Sequence, residues 1–266
     1  MIDRSRIAFL GAGYERLRVA IVTVVGAGGG GSHVLQQLAH LAVGTLVSVD
    51  PDDLENSNVN RVVCANYTDI GMPKATLLVR SLSHLGGRMV ALRRRAETPI
   101  ARAWIERSDL VFGAVDGARA RNNIEQICRA ALVPYIDIGL TILTSTDGAV
   151  TAIGGQIVTS LPNGTCLRCA GVITDDSLAE DREEYADSDI EQQVISMNGL
   201  LASQAVTGGI ALLADYAPKF PPPAVVRYDG LLHEMRSDDW LNQACPHFPL
   251  TDAGWTVVLP PRKHTA

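Results

Sequence analysis

The hydrophobic positions of this chain fall into short continuous runs separated by stretches with helical spacing. Residues 18–25, RVAIVTVV, form an unbroken apolar, β-branched run closed by glycines, as expected of a parallel strand buried on both faces. From 32 to 41, Val34, Leu35, Leu38 and Leu41 share one helical face, and 45–49 alternates into a second strand ending at Asp50. Strand, glycine turn, helix and strand make a βαβ unit. The pattern repeats with helix 73–85, strand 89–93, helix 101–107, strand 109–114, helix 119–132 and strand 135–138. After Gly139 the character changes. Segments 150–161 and 224–228 read as strands of a mixed or antiparallel portion of the sheet, with a helix from 198 to about 216 between them. The run 173–193 carries Asp175, Asp176, Glu180, Asp181, Glu183, Glu184, Asp187, Asp189 and Glu191, and reads as a solvated loop with no more than one helical turn. The predicted class is α/β: a doubly wound, mostly parallel sheet with helices on both faces and antiparallel C-terminal strands.

Composition narrows the function. With 266 residues, 47% hydrophobic and 20% charged, the chain is an ordinary globular one, which excludes fibrous and disordered classes. Net charge is −6 and no basic stretch exceeds Arg93-Arg94-Arg95, which argues against a nucleic-acid partner. The most apolar later stretch, 200–213, contains Ser203, Gln204 and Thr207 and is shorter than the roughly 20 apolar residues of a membrane span. The opening MIDRSRIAFLGAGYERLR is too interrupted by arginine and glycine to read as a secretory signal. Five cysteines in such a chain suggest reduced thiols or metal ligands and a cytoplasmic location.

The chemistry starts at Gly26-Ala27-Gly28-Gly29-Gly30-Gly31-Ser32, a G-x-G-x-x-G match placed after a predicted strand and opening a predicted helix, as in Rossmann-like domains. Glycine lets backbone approach phosphates, and the free amides at the helix start favour an anion. Asp50, 24 positions after Gly26, ends the second strand where a carboxylate would bond ribose hydroxyls. The competing reading is a close-packed glycine turn capped by Asp50. A dinucleotide oxidoreductase shares these features, but not the polar residues downstream of Asp50. Beyond the neighbouring carboxylate of Asp52, the residues Asn58, Arg61 and Lys74 add a carboxamide, a guanidinium and an ammonium, which suit a triphosphate and have no use in hydride transfer. Asp116 lies just past strand 109–114, at the carboxyl edge where open sheets bind ligands. It could hold Mg²⁺ facing a polyphosphate, or cap the helix beginning near Arg119.

These residues resemble the superfamily of ATP-dependent activating enzymes for ubiquitin-like and sulfur-carrier proteins, the ThiF/MoeB/HesA group. The resemblance runs through Phe9-Leu10-Gly11, Glu15-Arg16-Leu17, the glycine loop, the segment from Asp50 to Arg61, Gly71-Met72-Pro73-Lys74, Val115-Asp116 with Arg121, Cys166-Leu167-Arg168-Cys169, Ser196-Met197-Asn198-Gly199 and Cys245-Pro246. It implies one adenylation domain over 1–266, with an N-terminal arm (1–17), a nucleotide-binding half (18–139) and a C-terminal half (140–266) containing a crossover loop at 173–193. It implies that ATP sits on Gly26, Gly28, Gly29, Gly31 and Ser32, that Asp50 binds ribose, that Asn58, Arg61 and Lys74 bind phosphates, and that Asp116 binds Mg²⁺. Arg4, with Arg6 as a rival, would reach a partner subunit's ATP, which implies a homodimer. The implied reaction joins the C-terminal carboxylate of a carrier protein ending in glycine to the α-phosphate, giving an acyl adenylate and pyrophosphate. The carboxylate is already ionised at neutral pH and needs no general base.

Cys166 and Cys169 have the spacing of a zinc knuckle, and Cys245 adds a third thiol. Phe248 stands where the resemblance implies a fourth sulfur, and His247 is one place out of register. A Cys₃His zinc site and a metal-free thiol cluster both remain open. The segment 173–193 contains no cysteine, so a thioester nucleophile there is excluded. Cys128 reads as core, and Cys64, near the ATP-side loop, as filler, with thioester transfer by Cys64 as the minor reading. The alternatives are adenylation of a peptide or small carboxylate, a tRNA-base dehydratase, a non-catalytic adaptor subunit and, last, a dehydrogenase.

Overall fold

The computed structural model describes residues 10–162, 164–183, 194–216, 219, 221–238 and 245–248. Eight strands form one sheet in the order β3-β2-β1-β4-β5-β6-β7-β8. They are β1 (Ile21–Val25), β2 (Thr45–Val49), β3 (Arg88–Leu92), β4 (Leu110–Gly113), β5 (Tyr135–Thr144), β6 (Val150–Ser160), β7 (Val225–Asp229) and β8 (Glu234–Ser237). β1 to β5 are mutually parallel, and β5 to β8 continue the sheet antiparallel. The mixed architecture expected from the sequence is therefore present.

Both faces of the parallel half are covered, which is why β1 and β2 read as continuous apolar runs. Val22, Val24, Leu46, Leu110, Phe112 and Ile136 face one core layer. Its helices are α1 (Gly13–Val19), α2 (Gly29–His40), α3 (Lys74–Leu82) and α7 (Ile195–Ala214). Val25, Val47, Val49, Val111 and Tyr135 face the other, under α4 (Pro99–Glu106) and α5 (Ala118–Ala130). Cys128 is wholly buried in this second layer, as its sequence context suggested.

Several boundaries differ from the sequence expectations. β5 runs on past Gly139 to Thr144, because a long hairpin with β6 supplies its backbone partners where composition suggested a break. β8, all exposed, had no apolar signal to announce it. The acidic run begins with a true helix, α6 (Asp175–Glu183), whose Leu178 packs on the second core; residues 184–193 lie outside those described. α7 starts three residues before the expected position and, at 20 residues, is long and apolar enough to span a membrane by length and composition. Its Leu201, Ala202, Ala205, Val206 and Ile210 are buried in the first core layer, the packing of a core helix.

Candidate active site and cysteine cluster

From β1 the chain crosses outward to β2 and β3, whereas β4 and β5 lie on the other side of β1. The carboxyl ends of β1 and β4 are thus a topological switch point, where open α/β sheets leave a crevice. A crevice is found there, lined by Gly28, Gly29, Gly30, Asn58, Arg61, Val62, Lys74, Ala114, Val115, Asp116, Arg121, Ile138, Leu140 and Asn198. The sheet delivers the glycine loop after β1 and Asp116 after β4, and the loop between β2 and α3 brings Asn58, Arg61 and Lys74.

α2 begins inside the glycine run, at Gly29, three residues before the sequence reading placed it. A Cβ on Gly31 would lie 1.8 Å from the Gly26 carbonyl oxygen, so the helix approaches the turn more closely than any side chain permits. Ser32 is buried. Its hydroxyl donates to the Gly29 carbonyl at 2.9 Å and accepts from the Val63 amide at 3.1 Å, pinning the Asn58–Arg61 loop against α2. Asp50, also buried, accepts from the Ala27 amide at 2.6 Å and the Asp52 amide at 2.8 Å. Burial raises its pKa, and these two bonds and Lys74 oppose that. Gly26, Gly31, Ser32, Asp50 and Asp52 stand behind the lining residues. The turn-capping reading of Asp50 thus describes contacts that are present.

Lys74 is 12% exposed and its ammonium lies 3.2 Å from Asp52, while Arg61 donates to the Ser57 carbonyl at 2.5 Å. Asn58 is buried, its side chain accepting from the Glu55 amide at 3.2 Å in the cap of a short 3₁₀ turn (Asn56–Asn58). Asp116 is exposed, and among the described residues no basic group lies within ion-pair distance. It does not cap α5. That position belongs to Gly117, and the Arg119 amide bonds Asp181 of α6 at 2.6 Å. Arg121 and the buried Asn198, which the resemblance included without assigning either a role, also line the crevice. Tertiary proximity brings them in, and a βαβ motif holds no signal for it. Arg4 and Arg6 lie outside the described residues.

Away from the crevice, Cys166, Cys169, Cys245 and His247 come together with their ligand atoms all within 4.8 Å of one another. The sulfur of Cys169 is 3.5 Å from that of Cys166 and 3.7 Å from that of Cys245, and His247 Nδ1 is 3.4 Å from each of the Cys166 and Cys169 sulfurs and 3.9 Å from that of Cys245. Tetrahedral zinc with Zn–S near 2.3 Å requires edges of about 3.8 Å, so the four donors fit the ion. The sequence had put His247 out of register. The chain turns at Pro246 so that the imidazole enters the cluster, and Phe248 packs on Arg129, with its ring centre 5.2 Å from the guanidinium carbon.

Fold and crevice together define a doubly wound α/β domain whose switch-point crevice gathers glycine-loop backbone, a guanidinium and an ammonium. The chain belongs to the ThiF family, whose model matches residues 2–246. It is similar to the SAMP-activating enzyme E1 of Haloferax volcanii, 34% identical over 160 residues that cover 59% of this chain and 55% of that enzyme. To the molybdopterin-synthase adenylyltransferase of Escherichia coli it is 28% identical over 232 residues, 84% of each chain. Among solved structures, E. coli MccB with ATP matches with a TM-score of 0.69 at 18% identity, covering 88% of this chain and 67% of that one, a likeness of fold.

Proposed function

We propose that this protein is an adenylyltransferase that uses ATP to activate the C-terminal carboxylate of a ubiquitin-like or sulfur-carrier protein ending in glycine. The observation that carries the reading is the convergence of Gly28–Gly30, Asn58, Arg61, Lys74 and Asp116 on one crevice at the switch point. In this reading the amides of the glycine loop and the start of α2 receive phosphate oxygens, and Arg61 and Lys74 balance the charge that builds as the carboxylate attacks the α-phosphate. Asp50 holds the loop by the Ala27 amide and so orients the nucleotide side. Asp116 would hold Mg²⁺, which supplies further phosphate neutralisation when bound; a single exposed carboxylate beside a polyphosphate site fits that hard cation.

Zinc on Cys166, Cys169, Cys245 and His247 is part of the same proposal, in a structural role remote from the crevice lining. A homodimer in which Arg4 or Arg6 serves the partner's site belongs to it as well. The names of the two relatives above support the reaction class. The test is ATP–pyrophosphate exchange with small carrier proteins ending in Gly-Gly, with a terminal Gly→Ala version and a free peptide as controls. Exchange should require the carrier and fall by about a hundredfold or more in Asp116→Ala, the usual scale for one electrostatic group in a preorganised site. Exchange with the peptide alone would move the assignment to peptide adenylation, and undiminished exchange in Asp116→Ala would remove the magnesium role.

A further inference from the structure

Behind the crevice lies a buried charged group that the reaction does not use. Asp137, on β5, is 0% exposed, and both its oxygens are occupied. Tyr135 Oη donates to Oδ1 at 2.8 Å, and Arg121 of α5 donates from Nη1 to Oδ2. The arrangement is built into the strand. Gly113, the neighbour of Asp137 across β4 and β5, leaves the space for Tyr135, since a Cβ there would stand 2.1 Å from the phenol oxygen. Burial holds the Tyr135 phenol protonated, so it is a permanent donor to Asp137.

Arg121 has two acidic neighbours. One is buried Asp137, and the other is exposed Asp116, which lines the same crevice as Arg121. The buried partner wins because attraction is stronger where water is excluded, and because an unpaired buried carboxylate is costly. Resting on the reading of the crevice as an ATP site, we propose that Asp137 is a positioning residue that draws Arg121 toward the back of the crevice and so leaves Asp116 open to the divalent cation. Without Asp137, Arg121 turns to Asp116 and competes with the metal. Tyr135 acts through Asp137 by holding its second oxygen.

The test uses the full chain with AMPCPP as nucleotide and Mn²⁺ as the cation. Calorimetry gives the AMPCPP affinity with and without Mn²⁺, and the ratio of the two reads cation capture independently of turnover. Asp137→Asn should reduce that ratio by about tenfold, the scale of one hydrogen bond between charged groups. Asp137→Asn combined with Arg121→Gln should restore it, since the competing guanidinium is gone. A purely structural role for Asp137 would leave the double variant no better than the single one. Tyr135→Phe, which keeps the ring, should move the ratio in the same direction by about threefold and serves if Asp137→Asn does not fold. An unchanged ratio in Asp137→Asn or Tyr135→Phe, or no recovery in the double variant, overturns the proposal while the ATP site stands. If the wild type binds no AMPCPP at all, the ATP reading fails and this inference fails with it.

Discussion

Replacing Arg129 by methionine tests how the chain holds the cysteine cluster in place. Arg129 is a 1% exposed arginine on α5, and its guanidinium collects the backbone leading to Cys166. It donates to Ser160 Oγ at 3.0 Å and to the carbonyls of Pro162, Gly164 and Thr165 at 3.0, 3.0 and 2.7 Å. Glu125, equally buried and 4.0 Å away, accepts from Ser160 Oγ at 2.6 Å and the Leu167 amide at 3.0 Å. The described residues between Ser160 and Leu167 lie in no helix or strand, so this pair is where the carbonyls of Pro162, Gly164 and Thr165 and the Leu167 amide find partners. Methionine keeps much of the apolar volume and offers no donor. Removing one partner of a buried ion pair costs about 3–5 kcal/mol. The Pro162 and Gly164 carbonyls belong to half-buried residues that water can reach, and loss of the Arg129 bond to the carbonyl of buried Thr165 adds about 1 kcal/mol. The total of about 4–6 kcal/mol corresponds to a fall in Tm of about 10 °C or more for a domain of this size. Thermal melts monitored by circular dichroism read it, with zinc retention measured in parallel by a chromogenic chelator. Adding Glu125→Gln to Arg129→Met should recover about 2 kcal/mol by removing the stranded charge. A single variant melting within about 2 °C of wild type, or a double variant no more stable than the single, would refute this account.

Three further outcomes are expected. Gly31→Ala should cost about 3 kcal/mol and abolish AMPCPP binding, because the added methyl meets the Gly26 backbone and neither chain segment can yield; calorimetry and urea melts check both. His247→Ala should lower bound zinc from about one equivalent to well below it, because a structural zinc site needs four ligands, as read by metal analysis of dialysed protein. Burial is the main cause that raises the Glu125 pKa above its ordinary 4.5, against hydrogen bonds from Ser160 and Leu167 and the charge of Arg129. The folded state therefore holds that proton more tightly than the unfolded chain does. The contribution is fully present below the ordinary value and is lost as pH rises through the folded one. Glu125→Gln should accordingly flatten the decline of urea midpoint with rising pH above 4.5, and an unchanged slope would contradict the assignment.

The sequence by itself determined the βαβ order, the glycine turn and the approximate ends of the parallel strands, because those depend on local physics: strand burial on both faces, helical spacing and the need for glycine at a close approach. It also supplied Asn58, Arg61, Lys74 and Asp116 as candidates, since charged and amide groups at the carboxyl ends of core strands have no packing reason to be there. Other features had no local cause. β5 outran Gly139 because β6 pairs with it, and α6 formed in an acidic run because Leu178 packs beneath it. Asp50 proved to be buried and bonded to Ala27. Only tertiary structure brought His247 to sulfurs 81 and 78 positions away and set Asp137 behind Arg121. Each of these joins residues far apart in the chain, and such contacts are fixed by how the layers pack and by the high cost of leaving a buried charge unpaired, which no window of sequence contains.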